Sequence, residues 1–539
     1  MQTFQSGVGT ETFRSRTQLI NTSSLVYANK FGDKHDVEVG AYFEAIRGFS
    51  KGFGFNAFLL DPRLFGTTQG AGALPNSGTT TVQNVGSARS GFGIRSYFGT
   101  GRYTYNNKYT LTANIRRDGT SRILNVANDE ITTYSVGAIW DVIKEGFMDR
   151  QNLFSDLKVR ASFGKVPDIN SIPGGSYGIS GGGIYTIPNY LAAQQPAFNP
   201  TTGFAGSSIT GITPTVANNN LRMEYVEKTN IGVDMAMLKN RLRVTVDLYR
   251  NVTRDLFVQQ QLPAPSGFGG GSLQVNAGSM ENKGIELSIS GDLVKTKDID
   301  LTLGWNHNIN KNEILDLGQV SEYPSGTGII KEGLPFGTHY SQNYLGADPA
   351  TGAPLYETAD GKTTTDFGQA GLFHKFGTWL PMHIGGFTLD FRYKRFSLSA
   401  LFSYQFEVYR YNNVESWTTR GTPGFGNAVN QNRILLTEQW QKPGDVKYYA
   451  SPLFDRQFTA ADIQDAKFLR FRSLNMNYQI PQINADGTRL IKGARLYVQA
   501  QNLFIWSPWR GLDPEDDNNI SLQEFPNPRA VVVGIDINF

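Results

Sequence analysis

Apolar and polar residues alternate with a period of two along most of the chain. Tyr109, Leu111, Ala113 and Ile115 alternate with Thr110, Thr112, Asn114 and Arg116, and Ile231, Val233, Met235 and Met237 alternate with Asn230, Gly232, Asp234 and Ala236. After Leu238-Lys239-Asn240-Arg241, the series Leu242, Val244, Val246, Leu248 alternates with Arg243, Thr245, Asp247, Tyr249. Successive side chains of a strand point to opposite faces, so each stretch predicts a strand with one apolar and one polar face, and these last two predict a hairpin. The pattern recurs at 285–289, 299–305, 387–393, 396–404, 474–480, 496–500 and 531–539, while helical periodicity is almost absent. We read about fifteen strands in all.

The connections alternate in length. Short links fall near 30–33, 105–108, 146–153, 238–241, 294–298, 393–395 and 481–492; long ones span about 50–88, 165–220, 310–382, 408–466 and 506–528. A transmembrane β-barrel has this form, with short periplasmic turns and long outer loops, which places the C-terminus at Phe539 in the periplasm. A propeller or a tandem of sandwiches also alternates, but needs no alternation of turn length. The second strand face carries Asn, Thr, Arg, Asp and Gln, as a wet lumen requires, and Tyr and Phe gather at strand ends. In particular, Leu474, Met476, Tyr478 and Ile480 are expected on the lipid face, and Ser473, Asn475, Asn477 and Gln479 on the lumen face. An odd strand number leaves an open edge, with unpaired backbone groups costing several kcal/mol each in hydrocarbon. The reading therefore expects further strands before Met1 or from another chain.

Composition agrees with this picture. Of 539 residues, 39% are hydrophobic, 12% aromatic and 18% charged, with 59 Gly; soluble domains carry about 25% charged residues. Mean hydropathy is −0.32, and no apolar run is long enough for a membrane-spanning helix, a test that strands of about 10 residues escape. Met1 to Phe13 has no leader-like pattern, so an exported protein is expected to carry its leader in earlier sequence. The absence of Cys excludes disulfides, thiolate metal sites and cysteine nucleophiles. A net charge of +3 without basic runs argues against a nucleic-acid partner.

Candidate chemistry is sparse. His35, His307, His339, His374 and His383 have no metal-ligand spacing, and we expect them to be isolated polar or loop residues, with no metal, cofactor or catalytic residue. Asp513, Glu515, Asp516 and Asp517 with Asn518 and Asn519 have calcium-ligand chemistry but not the spacing of a calcium loop, so a loop turn is expected. Gly267 to Gly271 lacks the strand-to-helix context of a phosphate loop. Loop aromatics are the remaining candidates. Trp417, Trp440, Tyr448, Tyr449, Trp506 and Trp509 could stack on a ligand or meet a lid protein; loop packing or a lipid-interface belt is the competing assignment.

Several motifs now become recognisable. NAGSMENKGIELSISG at Asn276 to Gly291 resembles a recurrent strand signature of the SusC/RagA family of TonB-dependent outer-membrane transporters. In the same order as in that family stand RRDGTSR at Arg116 to Arg122, LKVRASFGK at Leu157 to Lys165, TNIGVDMAM into LKNRLRVTVDLYRN at Thr229 to Asn251, ARLYVQAQNLFIW at Ala494 to Trp506 and GLDPE at Gly511 to Glu515. Val166-Pro167-Asp168 departs from the Thr-Gly-Asn-like turn usual after the third motif. The resemblance covers essentially the whole chain. It implies an all-β fold: an antiparallel transmembrane β-barrel, with residues 1–539 as the C-terminal ~15 strands of a 22-stranded, plugged barrel. The plug and first seven strands would lie outside the chain, and Glu11 to Tyr27 would be strand eight. The implied function is TonB-energised import of a nutrient oligomer, a glycan oligosaccharide or a peptide, across the outer membrane, without enzymatic activity. Implied partners are a SusD-like surface lipoprotein acting as lid, the chain's own N-terminal plug and strands, TonB through the plug, and outer-membrane lipid. The terminal Phe539 resembles a barrel-assembly signal. A passive porin or adhesion barrel is the alternative, and an outer-membrane enzyme a third.

Overall fold

The protein is described from a computed structural model. It covers residues 8–538 apart from 59–83, 170–171, 173–174, 179–185, 190–197, 202–210, 215, 263–264, 266–271, 421–429, 486–487, 516–517 and 522–523. The glycine stretch 267–271 and the terminal Phe539 thus lie outside the described residues.

Fifteen strands pair as one antiparallel sheet in chain order. They are β1 (Val8–Phe31), β2 (His35–Phe58), β3 (Asn84–Tyr105), β4 (Tyr109–Thr120), β5 (Glu130–Asp141), β6 (Phe154–Asp168), β7 (Glu224–Met237), β8 (Leu242–Gln261), β9 (Ser272–Lys295), β10 (Ile299–Asp316), β11 (His383–Tyr393), β12 (Phe396–Phe406), β13 (Phe468–Ile480), β14 (Gly493–Trp506) and β15 (Ala530–Asn538). β1 and β15 stand at the two ends of the order. No helix among the described residues is long and apolar enough to cross a membrane, which says nothing of strands.

By packing, the chain forms two compact units: Met1–Ile139 with Ser162–Thr229 and Val252–Ser279, and Trp140–Ala161 with Asn230–Asn251 and Met280–Phe539. In the first, β1 and β2 pair along their whole length, from Val8 opposite Phe58 to Phe31 opposite His35. The three-residue β3–β4 turn, Asn106 to Lys108, places Asn106 and Asn107 at φ +52° and +55°, a left-handed conformation that Asn tolerates better than most residues. One face of β4 carries the exposed Leu111 and Ile115. On the other, Arg116 binds Glu44 at 2.9 Å and the buried Asp118 at 2.6 Å, with its guanidinium over the Phe98 ring. Ile123, Ile172, Leu221 and Met223 form a small apolar core in this unit.

In the second unit the polar face is stitched by ion pairs. Arg160 joins Asp234 at 2.7 Å and Asp247 at 3.0 Å, and Gly232 makes this possible: a Cβ there would lie 2.4 Å from the Asp247 carboxylate. Along β12, β13 and β14 the register sets Ala400, Leu474 and Ala500 side by side, then Leu398, Met476 and Val498, then Phe396, Tyr478 and Leu496. Ser399, Asn475 and Gln499, and Ser397, Asn477 and Tyr497, occupy the opposite face. The simple alternation fails at Arg472, where the register slips against both neighbours. This β-bulge moves the apolar series from even to odd positions, so that Phe471, stacked on Phe402 at 4.4 Å, continues the apolar face.

Candidate functional site

The described residues of three long connections of the second unit, 317–382, 407–467 and 507–529, fold into a packed cap. The first contains two three-stranded sheets, Glu322–Ser325 with Gly328–Lys331 and Thr338–His339, and Tyr344–Ala347 with Pro354–Glu357 and Thr363–Thr364. The second carries a helix, Asn413–Thr418, whose start is capped by the Asn412 side chain accepting from the Glu415 amide at 3.0 Å. Asn, Asp, Ser and Thr serve at this position because their side-chain oxygen satisfies an otherwise unpaired helix N–H.

Glu415 is the electrostatic centre of the cap. Only 4% of its side chain is exposed, and its carboxylate accepts from Tyr449 Oη at 2.7 Å, Gln464 Nε2 at 2.8 Å, Arg510 Nε at 2.9 Å and Arg510 Nη2 at 2.7 Å. Burial alone would raise its pKa, but the hydrogen bonds from Arg510, Tyr449 and Gln464 outweigh it and hold the carboxyl below the usual range. Burial and the bond to Glu415 push the Tyr449 phenol up, and burial pushes Tyr411 up to about 12. A second buried pair lies alongside: Arg456 donates to Asp462 at 2.7 and 3.2 Å and to Ser416 Oγ at 3.1 Å.

The third connection is clamped to the wall. Arg470 pairs with Asp513 and, at 2.9 Å, with Glu515; Arg472, at the bulge, pairs with Glu515 and donates to Ser403 Oγ at 2.9 Å. Asp513 also accepts from Asn527 at 3.0 and 3.1 Å, and Arg410 from the second connection donates to the Pro514 carbonyl. The Asp513 and Glu515 carboxylates are thus engaged by arginine and amide donors rather than arranged as cation ligands. Asp516 and Asp517 lie outside the described residues.

The six aromatic candidates divide by accessibility. Trp440 is buried, donates to the Pro349 carbonyl at 3.1 Å and rests on Gly352. Gly352 holds φ +73°, and a Cβ there would fall 2.5 Å from the indole. Tyr449 is buried on Glu415, and Trp509 packs with Val408 and Ala466. Trp417, Tyr448 and Trp506 keep exposed surface; Trp417 lies under the Arg420 guanidinium, and Tyr448 sits edge-on to Tyr344. Trp506 ends β14 opposite Leu469, on the face shared with Phe471 and Phe504.

The histidines are less scattered than expected. β10 and β11 bring His307 Nε2 within 3.3 Å of His383 Nδ1, and His307 Nδ1 lies 2.8 Å from Tyr404 Oη, which also accepts from Trp305. Cross-strand pairing of distant segments causes this, and sequence spacing cannot show it. His339 is buried, donates through Nε2 to the Tyr409 carbonyl at 2.7 Å and meets Tyr411 edge-on. Among the described residues no three His, Asp or Glu form a metal-binding group. Sequence reasoning missed Glu415, Arg456, Asp462, Gln464 and Arg510 altogether. The only signals were two capping-box spacings, Asn412 with Glu415 and Thr459 with Asp462, of which the second forms the reciprocal box.

Residues 2–503 match the family described as TonB dependent receptor-like, beta-barrel. The chain is 28% identical to TonB-dependent receptor P26 of Formosa agariphila, over 96% of this chain and 53% of that protein. It is 27% identical to TonB-dependent receptor SusC of Bacteroides thetaiotaomicron, over 82% and 43%. Among solved structures it is similar to the RagAB peptide transporter, with a TM-score of 0.80 and 25% identity over 99% of this chain and 57% of that one. The chain spans about half the length of the curated relatives it matches. With its fifteen antiparallel strands, two-faced pattern and long, clamped loops, the chain belongs to the TonB-dependent receptor family, as a SusC- and RagA-like β-barrel of the outer membrane.

Proposed function

We propose that this chain forms barrel wall and outer loops of a TonB-energised importer of nutrient oligomers, a peptide or a glycan oligosaccharide. The likeness to the RagAB peptide transporter over 99% of the chain carries this reading. The folded cap supports it, because loops that only joined strands would need a few residues each. In this reading a SusD-like lipoprotein covers the cap from outside, with exposed Trp417 and Tyr448 as contacts to ligand or lid and Trp506 in the lipid-interface belt. The barrel is completed by strands paired beyond β1 and β15, the two ends of the strand order, since hydrocarbon cannot satisfy unpaired backbone groups, and a plug domain takes the pull from TonB.

The test is uptake of a labelled peptide mixture and a labelled glycan-oligosaccharide mixture by cells expressing the complete transporter, with and without TonB and with and without the neighbouring lipoprotein. Import of one mixture that needs TonB and the lipoprotein is the expected result. TonB-independent equilibration would replace this reading with a passive porin.

A further inference from the structure

The polar face of the second unit pairs its cations with acids: Arg160 with Asp234 and Asp247, Arg243 with Asp292, Arg392 with Asp300 and Arg495 with Asp536. The edge formed by its short turns behaves differently. Three turns that follow one another along the sheet, β7–β8, β9–β10 and β11–β12, carry Lys239 and Arg241, Lys295 and Lys297, and Lys394 and Arg395. All six are exposed. Arg241 is held by the Asp292 and Leu293 carbonyls and Lys295 by Asp292 at 3.6 Å. Among the described residues, Lys239, Lys297, Lys394 and Arg395 have no ion-pair partner, and Asp298 is the one carboxylate in these turns.

Two further observations point outward from this edge. Lys239 and Lys394 sit at φ +59° and +52°, a left-handed conformation that costs most L residues about 1–2 kcal/mol and that Asn or Gly fills more cheaply. Cations occupy positions where local geometry favours other residues. Immediately behind them lies exposed apolar and aromatic surface, Leu238, Leu293, Tyr393 and Tyr478, with the Lys394 ammonium 5.3 Å from the centre of the Tyr393 ring. Backbone hydrogen bonds stitch the turns together: the Asp292 amide to the Arg241 carbonyl, the Lys394 amide to the Asp298 carbonyl, and the Gln479 amide to the Arg395 carbonyl. Turns two strands apart repeat at about 10 Å, so the cations form a fixed row at headgroup-scale spacing.

We infer that this row binds anionic phospholipid headgroups of the inner leaflet of the outer membrane. Phosphate oxygens meet Lys239, Lys297, Lys394 and Arg395, while acyl chains lie on the apolar surface behind. The inference rests on the assignment of short turns to the periplasmic side but not on import. Basic residues at an anionic membrane surface contribute about 1 kcal/mol each, or about fivefold in affinity.

The test is native mass spectrometry of the detergent-purified complete transporter with phosphatidylglycerol or phosphatidylcholine at equal concentration. Retention of phosphatidylglycerol should exceed that of phosphatidylcholine at least tenfold, and the variant combining Lys239→Gln, Lys297→Gln, Lys394→Gln and Arg395→Gln should lose that preference. Lys394→Arg should keep it, as should Lys442→Gln in the outer cap. Retained heat-modifiable migration on gels verifies that each variant is folded. An unchanged preference in the fourfold variant would overturn the inference. So would equal loss in Lys442→Gln, or displacement of the lipid by inorganic phosphate or soluble peptidoglycan fragments at the same phosphate or carboxylate concentration. Substrate uptake is measured apart, so failure of the import proposal leaves this result intact.

Discussion

Replacing Glu415 by Ala should open the cap without unfolding the sheet. The substitution removes the acceptor for Tyr449, Gln464 and both Arg510 nitrogens. The Arg510 side chain is 49% exposed, so water takes over its bonds and that pair is worth about 1 kcal/mol. The Tyr449 hydroxyl and Gln464 amide are buried, and leaving each unsatisfied costs about 1 kcal/mol or more. The sum is about 3 kcal/mol, at the low end of what breaking a buried charged pair costs. If local opening governs amide exchange, this is an acceleration of about 150-fold. Hydrogen-exchange mass spectrometry should show it in peptides from 409–420 and 445–465, while β10, β11 and β12 stay protected. Glu415→Gln keeps an acceptor for Tyr449 and should cost about 1 kcal/mol, roughly fivefold in exchange. Unchanged protection of the cap in Glu415→Ala would refute the reasoning, as would equal loosening of the strands.

Acid should loosen the cap in two windows. Burial, first, holds the pKa of His339 below 6.5 despite its bond to Tyr409, so its stabilising effect is full above about pH 6.5 and lost as pH falls through the lowered folded value. That of Glu415 is full above about 4.5 and lost as pH falls through its lowered folded value; cap protection factors, corrected for the intrinsic pH dependence of exchange, that stay constant from about pH 7 to 3 would contradict this. Asp513→Asn should free residues 507–529 and cost about 2 kcal/mol locally, because Arg470 is buried and loses a charged partner, with limited proteolysis of that connection as the readout. Gly352→Val should displace Trp440, seen as a red-shifted indole emission, because its Cβ would overlap the ring and its left-handed backbone would be strained. Deleting Phe539 should lower outer-membrane levels more than it lowers the thermal stability of assembled protein, since one terminal side chain contributes only ~2 kcal/mol; equal membrane levels would count against an assembly signal.

The wall was legible because one physical constraint governs it throughout. Period two is enforced wherever one face is apolar and the other polar, and a slip of one residue exchanges the faces. The alternation Leu474, Met476, Tyr478 therefore carries both the strand and its register against Leu398 and Val498. It stops being informative at Arg472, since a bulge costs one residue and leaves no compositional mark. The cap was not legible for a related reason. Its order comes from charged groups far apart in the chain: Glu415 meets Gln464 and Arg510, and Arg470 meets Asp513. No periodicity brings such residues together. Among the aromatics, sequence supplied the residue type but not the burial that separates Trp440 and Trp509 from Trp417.

The third connection links these two kinds of order. At one end Asp513 and Glu515 are held by Arg470 and Arg472 from the bulged part of β13; five residues before Glu515, Arg510 reaches the Glu415 carboxylate of the second connection. Arg470 and Arg472 stand two residues apart, the spacing at which a strand sends side chains to one face, so neighbouring wall positions supply both arginines to Glu515. The two seams differ in strength. Arg470 is 4% exposed and pairs with two carboxylates, whereas Arg510 is half in water and its pair is screened accordingly. Arg510 is not alone in joining the second and third connections: Arg410 donates to the Pro514 carbonyl, the Tyr411 amide to the Asn519 carbonyl, and Trp509 packs on Val408 and Ala466. The buried Arg456–Asp462 pair lies wholly inside the second connection and braces that connection from within.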